Sequence, residues 1–174
     1  MSEAISNTSP LLYLYRIGAL DWLAQLFEDV WIPQAVVAEL ETGQRRGHAV
    51  PTPALYSWLH VVDPSATPSE WLSLDLGPGE LAAMALALEN RNRDLLLDDT
   101  LARRTAQAAG LTVWGTLRVI LEAKDRGLTD SVAPLLDRLS QSGMWISVAI
   151  RQGILALAGE QDRGSDMNQD NGMP

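Results

Sequence analysis

The 174-residue chain has no cysteine, a single lysine and two histidines, and only 6% of its residues are aromatic. Without cysteine there is neither a disulfide framework nor a thiolate zinc site, and nothing asks for an oxidising compartment. His48 and His60 have no partner at metal-ligand spacing, so imidazole chemistry is expected of neither. No apolar run approaches the roughly 20 residues that span a bilayer, and Met1-Ser2-Glu3 is not the basic start of a secretory leader. The expectation is a soluble, cytoplasmic protein without membrane contact. The Gly-x-Gly-x-x-Gly and Gly-x-x-x-x-Gly-Lys-Ser/Thr loops that cradle phosphates in dinucleotide and nucleoside-triphosphate sites are missing as well.

What is present is enough apolar material, 47% of the residues, to bury a core. One domain over residues 1–160 is expected, and the polar, aperiodic segment 161–174 reads as a disordered tail. A net charge of -9 argues against a protein that simply coats nucleic acid, because sequence-independent affinity comes from cations neutralising phosphates. Contact with phosphate would have to be local. Twelve Arg and Lys124 supply the positive charge, gathered at Arg45-Arg46, at Arg91 and Arg93, and at Arg103-Arg104. Arginine suits planar, bidentate contact with phosphate, although the same pairs on solvated helix faces would be surface charge alone. Trp22, Trp31, Trp58 and Trp114 lie in apolar patterns and read as core or interface packing rather than as base-stacking platforms.

Along the chain, strands alternate with helices. Glu3 to Asn7 reads as a strand running into a helix through Thr8-Ser9-Pro10. Leu20 to Phe27 has helical spacing, Asp29 to Ile32 reads as a buried strand, and Pro33 opens a helix that stops between Gly43 and Gly47. A helix is expected from Pro51 to Leu59, a strand over His60 to Asp63, and a strong helix after Gly77-Pro78-Gly79. Asp94 to Asp99 is the clearest strand, since an unbroken apolar run bounded by polar residues suits a parallel strand buried on both faces. Further elements are a helix from Thr100, a strand at Leu111 to Trp114, and helices over 116–126, 130–140 and 147–158. This alternation predicts an α/β fold, a three-layer α/β/α sandwich around a mostly parallel sheet, with its ligand site beyond the carboxyl ends of the strands.

Four places put an acid or amide near that end: Asn7 after the first strand, Glu39 on the helix after Pro33, Glu80 in the first turn of the Gly-Pro-Gly helix, and Asp98-Asp99. Hard oxygen donors of this kind suit a divalent cation, and metal-activated water is what phosphodiester hydrolysis requires. Each has a plainer reading: Glu80 favouring the helix dipole, Asp99 capping the next helix, Glu39 facing solvent, and Asn7 forming a turn. Their common placement at one end of the sheet favours the metal.

Ile5-Ser6-Asn7-Thr8-Ser9-Pro10-Leu11, Ile32-Pro33 through Glu39-Leu40, Leu76-Gly77-Pro78-Gly79-Glu80 and Leu95-Leu96-Leu97-Asp98-Asp99, followed by Ala102-Arg103-Arg104, Gly110-Leu111 and Gly115-Thr116-Leu117, together resemble the PIN-domain superfamily. Within it, the resemblance is to a PIN-like bacterial and archaeal family close to VapC-type toxins, and it spans roughly residues 3 to 158. It implies an acidic pocket for Mg²⁺ or Mn²⁺ and endoribonuclease activity in a toxin-antitoxin system, with RNA as substrate, a cognate antitoxin as partner and a homodimer as the assembly. Carried onto this chain, the catalytic positions are Asn7, Glu39, Glu80 and Asp99, with Asp98 as a further metal ligand. Thr8 and Ser9 match the family's hydroxyl residues after the first acid, which help to orient it; with Arg45, Arg46 and Arg103 to hold phosphate they are the expected substrate-side residues. The family has Asp where this chain has Asn7. Replacing a carboxylate by a neutral carbonyl should weaken the metal and the activation of its water, so a catalytically weak or inactive module that binds RNA or a protein partner is the alternative.

Overall fold

Five short apolar runs become the strands β1 (Ser2–Ser6), β2 (Phe27–Ile32), β3 (Leu59–Val61), β4 (Arg93–Leu96) and β5 (Val113–Trp114). All neighbouring pairs are parallel and the order is β3-β2-β1-β4-β5, so β1 lies at the centre. The computed structural model describes residues 1–161, and residues 162–174, nearly all of the expected polar tail, lie outside them. The chain divides into two compact units, one over residues 1–119 and one from residue 120 onward.

In the first unit, the helices are α1 (Thr8–Arg16), the short α2 (Leu23–Leu26), α3 (Gln34–Arg45), α4 (Pro78–Glu89) and α5 (Thr100–Ala108), and α6 (Thr116–Asp125) begins there. Because strand residues alternate between faces, the sheet must be covered on both sides to bury its neighbours. One face carries Ile5, Leu95 and Val113, which join Ala83, Met84, Leu86, Ala102 and Ala106 of α4 and α5 in one buried cluster. On the other face Leu59 and Val61 line a cavity with Val37 and Leu40 of α3, and Phe27 meets Trp114 edge-on with ring centroids 5.3 Å apart. These are the three layers of an α/β/α sandwich.

The second unit contains α7 (Ala133–Gln141) and α8 (Val148–Leu157), with Leu135, Leu136, Leu139 and Leu155 buried. Ser147 caps α8 by accepting from the Ile150 N–H at 3.1 Å. Glu160 ties the unit together, taking Lys124 Nζ at 2.6 Å and the backbone N–H groups of Val132 and Ala133 at 2.6 and 3.0 Å.

Two expected helices are corrected. Leu20 to Phe27 is split into a 3-10 turn at Leu20–Trp22, four residues of α2 and the start of β2, since Phe27 is wholly buried as the first strand residue. The helix expected from Pro51 to Leu59 is only a 3-10 turn at Pro53–Leu55. Pro53 holds Thr52 extended, and Leu59 leaves to pair with β2.

Candidate functional site

At the exit of β1, the Asn7 N–H extends the ladder to Leu96 O at 3.1 Å, setting the residue beside the end of β4. Asn7 is 2% exposed, and its Oδ1 is a buried acceptor with no partner among the described residues. A buried oxygen left in this way costs about 1–3 kcal/mol, so it calls for a ligand or an explanation. The next residue, Thr8, opens α1 and donates its hydroxyl to Glu39 Oε2 on α3. Glu39 Oε1 accepts the Gly79 N–H at 2.9 Å. A Cβ on Gly79 would stand 2.6 Å from Glu39 Oε2, so a larger residue here would displace the Glu39 carboxylate. Glu80 turns back on the same loop, accepting the Gly77 N–H at 2.9 Å. The point where a Cβ on Gly77 would lie is 3.7 Å from Glu39 Oε1 and 3.8 Å from Glu80 Oε2, so two carboxylates converge on one turn.

Beyond β4, Asp98 accepts from Thr116 twice, from N–H at 2.8 Å and from Oγ1 at 2.7 Å, and Thr116 is fully buried. Asp99 Oδ1 accepts the Ala102 N–H at 2.8 Å, so the capping role is realised. The Arg103 guanidinium lies against Gly115, close to Asp98. Burial, together with the charges of Asp99, Glu39 and Asp75, pushes the Glu80 carboxyl above the usual carboxylate range despite the Gly77 N–H. Burial also raises Asp98, outweighing the two Thr116 donors and Arg103.

The structure thus gathers Thr8, Glu39 and Glu80 around the Gly77–Gly79 turn, with Asn7 on the neighbouring strand end and the charge of Asp99 felt at Glu80. Ser9 lies half-buried in the first turn of α1. Arg45 and Arg46 are exposed at the far end of α3, where Arg45 donates to Thr42 Oγ1 at 3.2 Å. A cavity of about 400 Å³ joins that end to Glu39 and Pro78. Sequence reasoning missed two residues: Thr116, whose Gly-Thr pair was legible without a role, and Asp75, signalled only by its place two residues before the turn.

Among the described residues no group of three or more His, Cys, Asp or Glu side chains is arranged to hold a metal ion. Mg²⁺ typically needs one or two carboxylates and completes its shell with waters and substrate oxygens. The all-oxygen donor set and the orphaned Asn7 Oδ1 fit such a hard cation.

A family model described as DUF3368, PIN domain, matches residues 3–160. Among solved structures the chain is similar to a PilT N-terminus domain protein from the hyperthermophilic archaeon Sulfolobus solfataricus, with a TM-score of 0.47, 16% identity, and coverage of 83% of this chain and 97% of that one. Among curated proteins none matches the sequence. With the family model covering residues 3–160, the chain belongs to the PIN-domain family.

Proposed function

We propose that the chain is a Mg²⁺- or Mn²⁺-dependent endoribonuclease, the toxin of a cytoplasmic toxin-antitoxin pair, hydrolysing RNA phosphodiesters at the carboxyl end of its sheet. The convergence of Glu39 and Glu80 on the Gly77–Gly79 turn carries this reading. PIN domains are typically nucleases that depend on a divalent metal. Glu39 and Glu80 would hold the ion directly, with Asp99, Asp98 and the Asn7 carbonyl reaching it through its waters. Such an ion, when held there, would supply Lewis-acid activation of water and of the phosphodiester. Thr8 fixes the Glu39 carboxylate by hydrogen bonding, and Thr116 fixes Asp98. Ser9, Arg45, Arg46 and Arg103 belong to the substrate side. A homodimer and a cognate antitoxin complete the proposal.

The neutral side chain of Asn7 favours a second reading, a catalytically weak module that binds RNA or a protein partner. A Mn²⁺-dependent ribonuclease assay separates the two. If Asn7→Asp raises activity and adding Asp99→Asn removes it, the nuclease reading and its site stand. Equal silence of all three proteins leaves the binding module.

A further inference from the structure

Gly47 takes a φ of +80°, and this turn brings the His48 N–H back to Gly43 O at 3.0 Å as α3 ends. Arg16 Nε fastens the following residue through Ala49 O at 3.2 Å. The result is a fixed corner with Arg16, Arg45, Arg46 and His48 together on a chain of net charge -9. Cations in a last helical turn have an ordinary explanation, compensation of the helix dipole, and Arg45 on Thr42 fits it. Arg46 and His48 do something else. They line a cavity of about 400 Å³ together with Ala35, Ala38, Glu39, Thr42 and Gly43 of α3 and Pro78 of α4. The Arg46 guanidinium meets no carboxylate among the described residues.

We infer that this groove along α3 is a subsite for single-stranded RNA, holding a nucleotide next to the cleaved bond with its phosphate on Arg46 and His48. The inference rests on the nuclease reading for what happens at Glu39, but its own basis is the groove. Seven residues of helix separate Glu39 from Arg46, about 10 Å at 1.5 Å per residue, so a phosphate at Arg46 is a neighbour of the one at the carboxylates and not the same group. The volume falls in the roughly 300–1,000 Å³ range of small-ligand sites, enough for a nucleotide and too small for a duplex. Small side chains at Ala35 and Ala38 let a sugar-phosphate backbone lie close to the helix.

The test measures binding of a labelled ten-nucleotide single-stranded RNA, and of the same sequence as a duplex, by fluorescence anisotropy without divalent metal. Mn²⁺ binding is followed in parallel by calorimetry. Arg46→Gln is expected to weaken the single strand about tenfold, the size of one lost charge-assisted bond, and to lower the slope of log K against log salt by about 0.7. Ala38→Trp fills the groove from an exposed position and should weaken binding at least as much while leaving Mn²⁺ binding intact. The natural chain should prefer the single strand. Single-strand binding that neither variant disturbs, duplex binding that is equal or tighter, or no RNA binding at all overturns the subsite. Loss of RNA affinity in both variants of a chain that takes up no Mn²⁺ upholds the groove and sinks the nuclease reading instead.

Discussion

At the amino end of the sheet, Glu3 and Asp29 share one cation, Arg93, at 3.0 and 2.6 Å, and its guanidinium also stands 3.4 Å from the centroid of the Trp31 ring. At the carboxyl end, Glu39, Glu80, Asp98 and Asp99 are met by backbone N–H groups and hydroxyls, with Arg103 as the cation felt at Asp98. Asp29 at one end and Glu80 at the other are shifted in opposite directions. Burial works against the Asp29 charge, but the Arg93 bonds outweigh it and hold that carboxyl below its ordinary value. At Glu80, burial and neighbouring negative charge win. One end pairs its acids with a buried cation; the other meets its acids mainly with neutral backbone and hydroxyl donors, which leave their charge largely uncompensated.

The largest expected effect lies at the stabilising end. Arg93→Met leaves Glu3 and Asp29 without their cation and should cost about 3 kcal/mol, read as a lower denaturant midpoint at neutral pH. A loss under about 0.5 kcal/mol would break the contrast. Next comes Glu160 in the second unit. Burial opposes its charge, but Lys124 and the Val132 and Ala133 N–H groups bring its pKa from the usual 4.5 to about 2. Its contribution is therefore complete above about 4.5 and lost as the pH falls toward 2. Glu160→Gln should cost about 1–2 kcal/mol at neutral pH and flatten the acid limb of the stability profile over that window.

The smallest effect on stability belongs to the site itself. With the Glu80 carboxyl raised in the folded state, the folded protein binds this proton more tightly than the unfolded chain does. Stability attributable to Glu80 is therefore highest in acid and falls as the pH rises from the unfolded value through the folded one. Glu80→Gln should remove that fall and leave the protein within about 1 kcal/mol of the natural chain, on the more stable side. Millimolar Mn²⁺ should then stabilise the natural protein and not the variant. A strongly destabilised Glu80→Gln would mean that the glutamate is a structural cap.

The parts of the fold that were legible are those whose signal is local. The β4 run and the Gly77-Pro78-Gly79 helix start were readable because an apolar stretch and a proline turn announce themselves within a few residues. Phe27 was misread because a strand's first residue and a helix's last share one apolar position, and only pairing with β1 decides between them. The acids of the site were legible as a set because each ends or begins an element. What the sequence hides is long-range partnership. Arg93 reads as one of a surface pair with Arg91, yet its partners lie 64 and 90 residues away. Thr116 is 18 residues from the carboxylate it holds, and Thr8 serves Glu39 from 31 residues off. The groove beside Arg46 depends on the packing of α3 near Pro78 and has no local signature.

The central claim is that the carboxyl end of the sheet is a divalent-metal site made weak by Asn7. Calorimetric titration with Mn²⁺ tests it most directly. The natural chain should bind, Asn7→Asp should bind more tightly because a carboxylate replaces a neutral oxygen, and Glu80→Gln should lose the signal. A natural chain that takes up no Mn²⁺ at millimolar concentration, or a Glu80→Gln variant that binds as well as the natural one, would contradict it.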